Sequence, residues 1–404
     1  MINPIQVADG VYYIGVNDRR TALFENLWPI PRGVSYNSYF VDDEKTALVE
    51  TVDSRMSGFL LEKLEERLAG RPLDYIILNH VEPDHSGALH EIVMTHPEAT
   101  VVGNRKTLKL LGQFYDYDGK CLEVADGDTL GLGRRTFTFF LTPMVHWPET
   151  MMTLDLEGGL LFSGDAFGSF GTLDGAIFDD EMDPGFYEDE MRRYYANIVG
   201  TYSRQVQKAL DRLKGICLKT VCPTHGPVYR KNPEWVIDRY DLWSRNQAEA
   251  GVVVVFGSMY GHTEAMADAL ARYLVEQGVP VVKVFDASKT HLSFLLSEIW
   301  KYRGVMLGSC AYNTGMLPPM KALTEKLQGA KLTDRLLGIF GNFSWSGGGV
   351  KTLEQFGTDM GWDVIGTAVE SQCKLCSCEQ IKLEDLAVRM AERLRQREAK
   401  DGNG

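Results

Sequence analysis

The sequence lacks several features that would assign it to a common class of protein. No uncharged apolar run reaches the roughly 18 residues needed to span a bilayer, and the start, Met1-Ile-Asn-Pro, has no basic or apolar signal region. Basic residues are in deficit, since 42 Lys and Arg against 55 Asp and Glu give 42 − 55 = −13. This balance disfavours nucleic acids and anionic membranes as general partners. We therefore expect a soluble, cytoplasmic protein.

Cysteine is sparse as well. The chain of 404 residues has 7 cysteines, an odd and scattered set that predicts reduced thiols rather than a disulfide framework. Three of them lie close together, Cys373, Cys376 and Cys378. With no fourth ligand nearby they match no usual zinc or iron–sulfur motif. We interpret them as incidental thiols, with a redox pair or half of a metal site as the alternatives.

The length and a change of pattern predict two domains. Before residue 250, short apolar runs follow one another with few helical stretches, which favours an α+β αββα sandwich. From Gly251 onward, five strands alternate with helices, which is typical of an α/β, doubly wound parallel sheet. We expect domains at 1–250 and 251–398 and a frayed tail at 399–404.

The individual elements are predicted from apolar periodicity. In the first half, the predicted helices are 54–70 and about 187–213, and the predicted strands are 73–79, 135–142, 151–156 and 159–163. In the second half, the predicted strands are 252–256, 279–285, 304–307, 336–340 and 363–368, with a helix at 263–277.

Histidines and carboxylates follow the apolar runs of the first half. His80-Val-Glu82-Pro-Asp84-His85 comes directly after one run, and Pro83 is expected to keep this segment out of a regular helix. His146, Asp165 and His225 follow three other runs. One such histidine is usually an ordinary buried polar residue, but seven candidates placed this way favour a metal centre. The other four histidines fit no such pattern: His90, His96, His262 and His291.

These residues resemble the metallo-β-lactamase superfamily, whose usual loop is His-x-His-x-Asp-His. Glu82 replaces the second histidine, as in the flavodiiron branch, which joins such a domain to a flavodoxin-like one. The resemblance implies that His80, Glu82 and His146 bind one iron. It implies further that Asp84, His85 and His225 bind a second iron and that Asp165 bridges the two. Three carboxylates make this set harder and more anionic than that of a zinc hydrolase, which favours iron.

Three loops of the second half resemble the FMN loops of flavodoxins. The first is a strand-to-helix turn without the lysine of a nucleoside triphosphate loop, and no G-x-G-x-x-G motif is present. All three follow parallel strands, where ligands of this fold bind. The candidate FMN residues are Ser258, Met259, Tyr260, Gly261, His262, Thr263, Ala311, Tyr312, Asn313, Thr314, Gly315, Ser344, Trp345, Ser346, Gly347 and Gly348.

The resemblance implies an oxidoreductase that reduces O2 to water, NO to N2O, or both, at a non-haem di-iron site supplied by FMN. It further implies an external electron donor such as rubredoxin or a reductase, and a head-to-tail homodimer or a dimer of dimers. Two alternatives remain: a glyoxalase II-like thioesterase with a regulatory flavodoxin domain, and an electron-transfer or gas-sensing protein without turnover. Tyr194 and Tyr195 are expected in the core or beside the metal pocket.

Overall fold

The computed structural model describes residues 4–401, and the chain divides into two compact units between Asp241 and Leu242. Among the described residues, no helix is both long and apolar enough to cross a membrane. Of the expected tail, residues 399–401 belong to the last helix, and residues 402–404 lie outside the described part of the chain.

The first unit contains two large sheets. Its strands are β1 (Ile5–Ala8), β2 (Val11–Tyr13), β3 (Val16–Asp18), β4 (Leu23–Phe24), β5 (Trp28–Pro29), β6 (Val34–Tyr36), β7 (Tyr39–Val41), β8 (Ala47–Val49), β9 (Tyr75–Ile77), β10 (Thr100–Gly103), β11 (Cys121–Glu123), β12 (Thr129–Gly131), β13 (Thr136–Leu141), β14 (Met151–Asp155), β15 (Leu160–Gly164) and β16 (Thr220–Pro223). Its helices are α1 (Ser57–Leu68), α2 (Pro83–Ser86), α3 (Leu89–Thr95), α4 (Arg105–Tyr115), α5 (Pro184–Tyr194), α6 (Ser203–Leu213) and α7 (Pro233–Ser244), the last of which runs across the boundary.

The two sheets share one core. The first has the strand order β1-β2-β7-β8-β9-β10-β11, and the second has the order β12-β13-β14-β15-β16. Val11 and Tyr39 of the first sheet belong to the same buried cluster as Phe137 and Phe162 of the second. Helices α1 and α4 bury only one side, as helices on the outside of a sandwich do. This arrangement agrees with the expected αββα sandwich.

The long helix predicted over 187–213 is wrong in its middle. Helix α5 ends at Tyr194, a π turn covers Tyr195–Val199, a 3₁₀ turn covers Gly200–Tyr202, and α6 follows. The Asn197 side chain donates to the Arg193 carbonyl at 2.8 Å, in competition with the regular backbone ladder. A polar side chain that bonds back to the helix, followed by a glycine, accounts for the irregular turns.

The second unit is a doubly wound sheet. Its strands are β17 (Glu249–Gly257), β18 (Val282–Asp286), β19 (Tyr302–Tyr312), β20 (Gly315–Met316), β21 (Leu336–Phe343), β22 (Asp363–Val364) and β23 (Val369–Gln372). Its helices are α8 (His262–Glu276), α9 (Leu292–Lys301), α10 (Pro318–Ala330), α11 (Gly349–Met360) and α12 (Ser377–Asp401). The strand order β18-β17-β19-β21-β22 is that of a flavodoxin-like sheet.

The last position of this sheet differs from the prediction. The strand expected over 363–368 ends at Val364, and β23 pairs separately with the same neighbour, β21. Gly366 has a φ of +64°, so the backbone turns between the two short strands. The spacing of apolar residues does not predict where a strand is interrupted by such a turn.

The interpretation of all seven cysteines as free thiols is also wrong. Cys376 and Cys378 form a disulfide at the start of α12, with Cα atoms 5.5 Å apart. The other five cysteines are unbonded, and two of these, Cys222 and Cys310, are buried. The prediction failed because the scattered spacing of the whole set says nothing about one pair separated by a single residue.

Candidate metal centre and flavin site

The seven predicted metal ligands meet in the first unit. His80 and Asp165 follow β9 and β15, and His225 lies two residues after β16. Their donor atoms form two groups, each with members within 4.8 Å of one another. The first group is His80, Glu82, His146 and Asp165, and the second is Asp84, His85 and His225.

The loop that supplies four of these residues contains a short helix, contrary to the expectation for Pro83. Helix α2 begins at Pro83, where the missing N–H is not needed by the helix. Glu82 precedes the helix in an extended conformation, with φ −54° and ψ 142°. This change of conformation separates Glu82, in the first group, from Asp84 and His85, in the second.

Asp165 links the two groups. Its Oδ2 lies 3.1 Å from His146 Nε2 and 3.5 Å from His80 Nε2. Its Oδ1 lies 2.7 Å from His85 Nε2 and 3.7 Å from His225 Nε2. One carboxylate therefore presents a different oxygen to each group, which is the arrangement required of a bridging ligand.

The two other carboxylates each serve one group. Glu82 Oε2 lies 3.2 Å from His80 Nε2 and 3.1 Å from His146 Nε2. Asp84 Oδ2 lies 3.4 Å from His85 Nε2 and 3.2 Å from His225 Nε2. Each group thus has two imidazoles, one carboxylate of its own and one oxygen of Asp165.

Outer contacts orient the ligands. His80 Nδ1 donates to Glu149 Oε1 at 2.7 Å, and His225 Nδ1 donates to the Ser35 carbonyl at 2.7 Å. Thr224 Oγ1 donates to Asp165 Oδ1 at 2.8 Å. Donation from Nδ1 leaves Nε2 of both imidazoles directed to the centre, as metal-binding histidines require.

The residues that contact the ligands from outside, such as Glu149, were not predicted from the sequence. Glu149 is buried, and its pKa is lowered because the hydrogen bond and charge of His80 outweigh the burial that would raise it. Glu50 is also buried, and burial raises its pKa to about 7. Neither residue belongs to a recognisable motif. Only the folded structure places them beside the ligands.

Protons compete for the same atoms as a metal would. Burial disfavours charged imidazoles, but Asp165 and Glu82 raise the pKa of His146 to about 9, and Asp165 and Asp84 raise that of His85 to about 9. Burial would raise the pKa of Asp165, but the neighbouring imidazoles lower it well below its usual value. Metal binding must therefore displace protons from these histidines.

The donor set fits two metal ions. Both oxygens of Asp84 and the Nε2 atoms of His85 and His225 are buried and make no well-aligned hydrogen bond, although these nitrogens lie 2.7 Å and 3.2 Å from carboxylate oxygens. Such orphaned atoms are costly unless something binds them. Imidazole and carboxylate donors suit iron. The residues present therefore fit the di-iron centre that the resemblance implies.

Aromatic rings line the centre. The Trp147 ring lies 5.1 Å from that of His80, and the rings of Phe24 and Tyr194 lie 5.3 Å and 5.6 Å from that of His225. Tyr194 is thus beside the metal pocket, whereas Tyr195 packs on Tyr240. A cavity of about 770 Å³ leads to the centre, lined by residues 20–26, Tyr36, Asp53, Arg55 and 82–84.

The first flavin loop has the features of a phosphate site. It joins β17 to the N-terminus of α8, and Gly261, with a φ of +88°, donates its N–H to Ser258 Oγ at 3.0 Å. Thr263 is buried, and its hydroxyl has no hydrogen-bond partner. A helix N-terminus with an unpaired hydroxyl suits an anionic group such as the phosphate of FMN.

The second and third flavin loops contact each other. Asn313 and Thr314, with φ of +47° and +62°, form the tight turn between β19 and β20. A Cβ on Gly348, whose φ is +126°, would come within 2.1 Å of the Thr314 carbonyl oxygen. Only glycine permits this approach.

The structure brings together part of the predicted FMN set. A small cavity is lined by Ser258, Met259, Tyr260, His262, Thr263, Ala311 and Ser344. Cys310, Asn342 and Phe343 also line it; they belong to the predicted loops 309–315 and 341–349 but were not among the candidate FMN residues. Tyr312, Asn313 and Gly315 line a separate cavity of about 710 Å³ beside α10 and α11. Trp345, Ser346 and Gly347 line neither cavity, and Trp345 is 91% exposed.

The four histidines left out of the metal centre do not join it. They belong to neither group of donors. His96 Nε2 lies 2.7 Å from a carboxylate oxygen of Glu65, and His291 caps α9 by accepting from the Ser293 N–H. These two histidines therefore serve local structure.

Comparison with known proteins gives the same division of the chain. Residues 34–226 match the family described as ODP family beta lactamase, and residues 254–383 match the flavodoxin family. A nitric oxide reductase of Moorella thermoacetica is 35% identical over 359 residues, which cover 88% of this chain and 90% of that protein.

Solved structures agree over nearly the whole chain. The rubredoxin oxygen:oxidoreductase of Desulfovibrio gigas superposes with a TM-score of 0.93 at 30% identity, covering 98% of this chain and 99% of that one. The flavodiiron protein of Giardia intestinalis superposes with a TM-score of 0.93 at 27% identity, covering 98% of each chain.

Proposed function

Because the chain belongs to the flavodiiron protein family, we propose that it is an oxidoreductase that reduces O2 to water, NO to N2O, or both. The observation that carries this proposal is the position of Asp165, whose two oxygens face separate groups of ligands. Such a bridge indicates a centre for two metals, which two-metal hydrolases also have. Glu82 in place of a histidine and the flavodoxin match over residues 254–383 are what disfavour the thioesterase. The names of the relatives, a nitric oxide reductase and an oxygen:oxidoreductase, support the reaction class over the thioesterase and the sensor without turnover.

In the metal centre, each residue has a defined task. His80, Glu82 and His146 would hold one iron, Asp84, His85 and His225 would hold the other, and Asp165 would bind both. Glu149 and the Ser35 carbonyl fix the imidazoles of His80 and His225 through Nδ1. When bound, the two irons and FMN supply electrons to a small oxidant in several steps. The aromatic rings of Phe24, Trp147 and Tyr194 cover part of the centre, and the cavity lined by Glu82 and Asp84 gives a small oxidant access to it.

In the second unit, the three loops would hold FMN. The Thr263 hydroxyl and the N-terminus of α8 would bind its phosphate. The loops around Ala311 and Ser344 would hold its ring system, to which the exposed Tyr260 and Trp345 offer aromatic side chains. We assign the metal-binding domain to residues 1–250 and the FMN domain to 251–398; the two compact units divide slightly earlier, between Asp241 and Leu242, and β17 begins at Glu249.

For the electron donor and the assembly, we propose what the resemblance to the family implies. The name of the Desulfovibrio gigas protein supports rubredoxin as one class of external donor, with a reductase as the alternative. A head-to-tail homodimer, alone or paired into a tetramer, would place the FMN of one subunit beside the metal centre of the other. We also propose a cytoplasmic location.

The first test is cofactor content together with turnover. Protein produced in iron-replete medium and purified without oxygen should contain two irons and one FMN per chain and should consume O2 or NO repeatedly with a chemical reductant. Zinc that persists when iron is plentiful, or a single oxidation without turnover, would contradict the proposal.

The dimer has its own test. Asp165→Asn removes the bridge, and Thr263→Val weakens FMN binding, so each variant alone should be inactive at low FMN concentration. Subunits of the two variants, exchanged into mixed dimers, should recover activity because the FMN of one subunit then faces the intact centre of the other. Recovery that fails in verified mixed dimers would contradict the head-to-tail arrangement.

A further inference from the structure

The disulfide of the second unit lies next to the flavin loops. Strand β23 runs parallel to β21, so its carboxyl end is on the same edge of the sheet as the third flavin loop. Cys373 follows β23 directly, and Cys376 and Cys378 come within the next five residues. This cysteine segment, 373–378, is therefore part of the ligand edge of the sheet.

Direct hydrogen bonds join the cysteine segment and its strand to the third flavin loop. The Cys373 N–H donates to the Phe343 carbonyl at 2.8 Å, and Asn342 Nδ2 donates to the Cys373 carbonyl at 2.6 Å. Gln372 Nε2 donates to the Ser344 carbonyl at 2.9 Å. Asn342, Phe343 and Ser344 all line the small cavity assigned to FMN. Movement of the cysteine segment would therefore shift residues that line this cavity.

The disulfide has little structural role. Only Ser377 separates the two cysteines, and cross-links that close so short a loop restrict the unfolded chain least. Both cysteines are exposed and belong to no buried cluster. Exposure also gives a second thiol access to the sulfur atoms. Disulfides of cytosolic proteins are usually transient, catalytic or redox-sensing.

We propose that Cys376 and Cys378 are a reversible dithiol–disulfide site that exchanges with an external dithiol and alters FMN binding through the third flavin loop. A thiolate of the external dithiol attacks one sulfur and breaks the Cys376–Cys378 bond, forming a mixed disulfide. Its second thiol then displaces the chain. The donor becomes a disulfide, and the chain gains two electrons and two protons as two thiols.

The first experiment counts thiols in the full-length protein. The protein is equilibrated anaerobically with mixtures of reduced and oxidised dithiothreitol, quenched in acid, and alkylated for peptide mass spectrometry. We expect two thiols, Cys376 and Cys378, to appear together on reduction and to disappear on reoxidation. The Cys376→Ser/Cys378→Ser variant should lose this transition. The control Cys121→Ser/Cys217→Ser variant, which lacks two exposed thiols of the first unit, should retain it.

The second experiment measures FMN binding to flavin-free protein in each state, after removal of dithiothreitol. Reduction frees the cysteine segment and loosens the contacts of Cys373 with Asn342 and Phe343, so we expect the Kd of FMN to rise about fivefold. The double serine variant should bind like the reduced protein whatever its treatment.

Three results would overturn the proposal. Cys376 and Cys378 could remain bonded in excess reductant until the protein is denatured, which would make the disulfide structural. They could remain free under oxidising mixtures or bind zinc through Cys376, Cys378 and Glu379, which lie close enough to share an ion. FMN affinity could be equal in both states. The thiol count uses neither iron nor turnover, so its failure is independent of the proposed function.

Discussion

The metal centre of the first unit and the flavin loops of the second differ in burial and in the atoms that face the ligand. The side chains of His225 and Asp165 are 0% exposed, whereas Tyr260 and Trp345 are 84% and 91% exposed. The metal centre uses side chains that outer partners hold in place. The flavin site uses loops in which positive φ angles and a close backbone approach set the shape.

This difference determines what each site tolerates. In the metal centre, replacing one donor atom of a side chain is enough to impair metal binding, because a metal ion requires a specific donor. In the flavin loops, the path of the backbone is decisive, and many exposed side chains are interchangeable. Substitutions should therefore have large, metal-specific effects in the first unit and smaller, flavin-specific effects in the second.

The largest effect is expected for Asp165→Asn. The amide cannot bridge two cations as a carboxylate does, so both groups of ligands lose a donor. Loss of an outer partner commonly costs about 10–100-fold in metal affinity, and loss of the bridge should cost more. Iron content and turnover should both collapse, while FMN content stays at the level of the parent protein.

The matched control is Asp211→Asn, which removes an exposed carboxylate paired with Lys214. It should retain both irons and full turnover. Iron binding that survives Asp165→Asn would contradict the bridging role and the distinction between the two sites.

Glu149→Gln should have the next largest effect. The substitution keeps the shape but removes the charge that holds His80 through Nδ1, so we expect about 10–100-fold weaker iron binding. Competition with a chelator at pH 7 measures this change. Glu98→Gln, at a carboxylate that is 82% exposed, is the control. Equal iron affinity in the two variants would show that Glu149 serves the fold alone.

The same contrast explains how far the sequence could predict the structure. His80, Glu82, Asp84 and His85 form a compact motif because four donors must come from one loop, and their spacing is therefore visible. Glu149 and Ser35 have no fixed spacing, since any residue that the fold brings to Nδ1 can serve. They could be found only in three dimensions.

In the second unit, the strands and the loops that follow them were predicted, but the contents of the loops were predicted less well. Asn342 and Phe343 lie in the predicted loop 341–349 but were not named as FMN residues; the structure has them at the end of β21, where they line the small cavity. The break between β22 and β23 was missed because it depends on the backbone at Gly366. Backbone turns are therefore harder to predict from the sequence than metal ligands, whose residue types and spacing are recognisable.

Gly348→Ala tests the backbone of the flavin site. The new Cβ would meet the Thr314 carbonyl oxygen at a φ of +126°, where strain of about 1–3 kcal/mol is usual. If this strain falls on the ligand-bound loop, FMN should bind roughly 5–150-fold more weakly, with iron content unchanged. Gly329→Ala is the control, because a Cβ there meets nothing within 4 Å and replaces glycine in a helix. Unchanged FMN binding in Gly348→Ala would place the flavin away from the third loop.

Thr263→Val tests whether the unpaired hydroxyl is kept for the ligand. In the flavin-free protein this hydroxyl is buried without a partner, so its replacement by a methyl group should leave the free energy of unfolding equal or slightly higher. In the holoprotein, loss of a hydrogen bond to a charged phosphate should weaken FMN binding about tenfold. Thermal unfolding with and without FMN separates the two effects, because a residue needed only for packing would lower stability in both states. Weaker FMN binding with equal or higher stability of the flavin-free protein is the result expected of a binding residue. Loss of both affinity and stability would contradict a role for Thr263 in FMN binding.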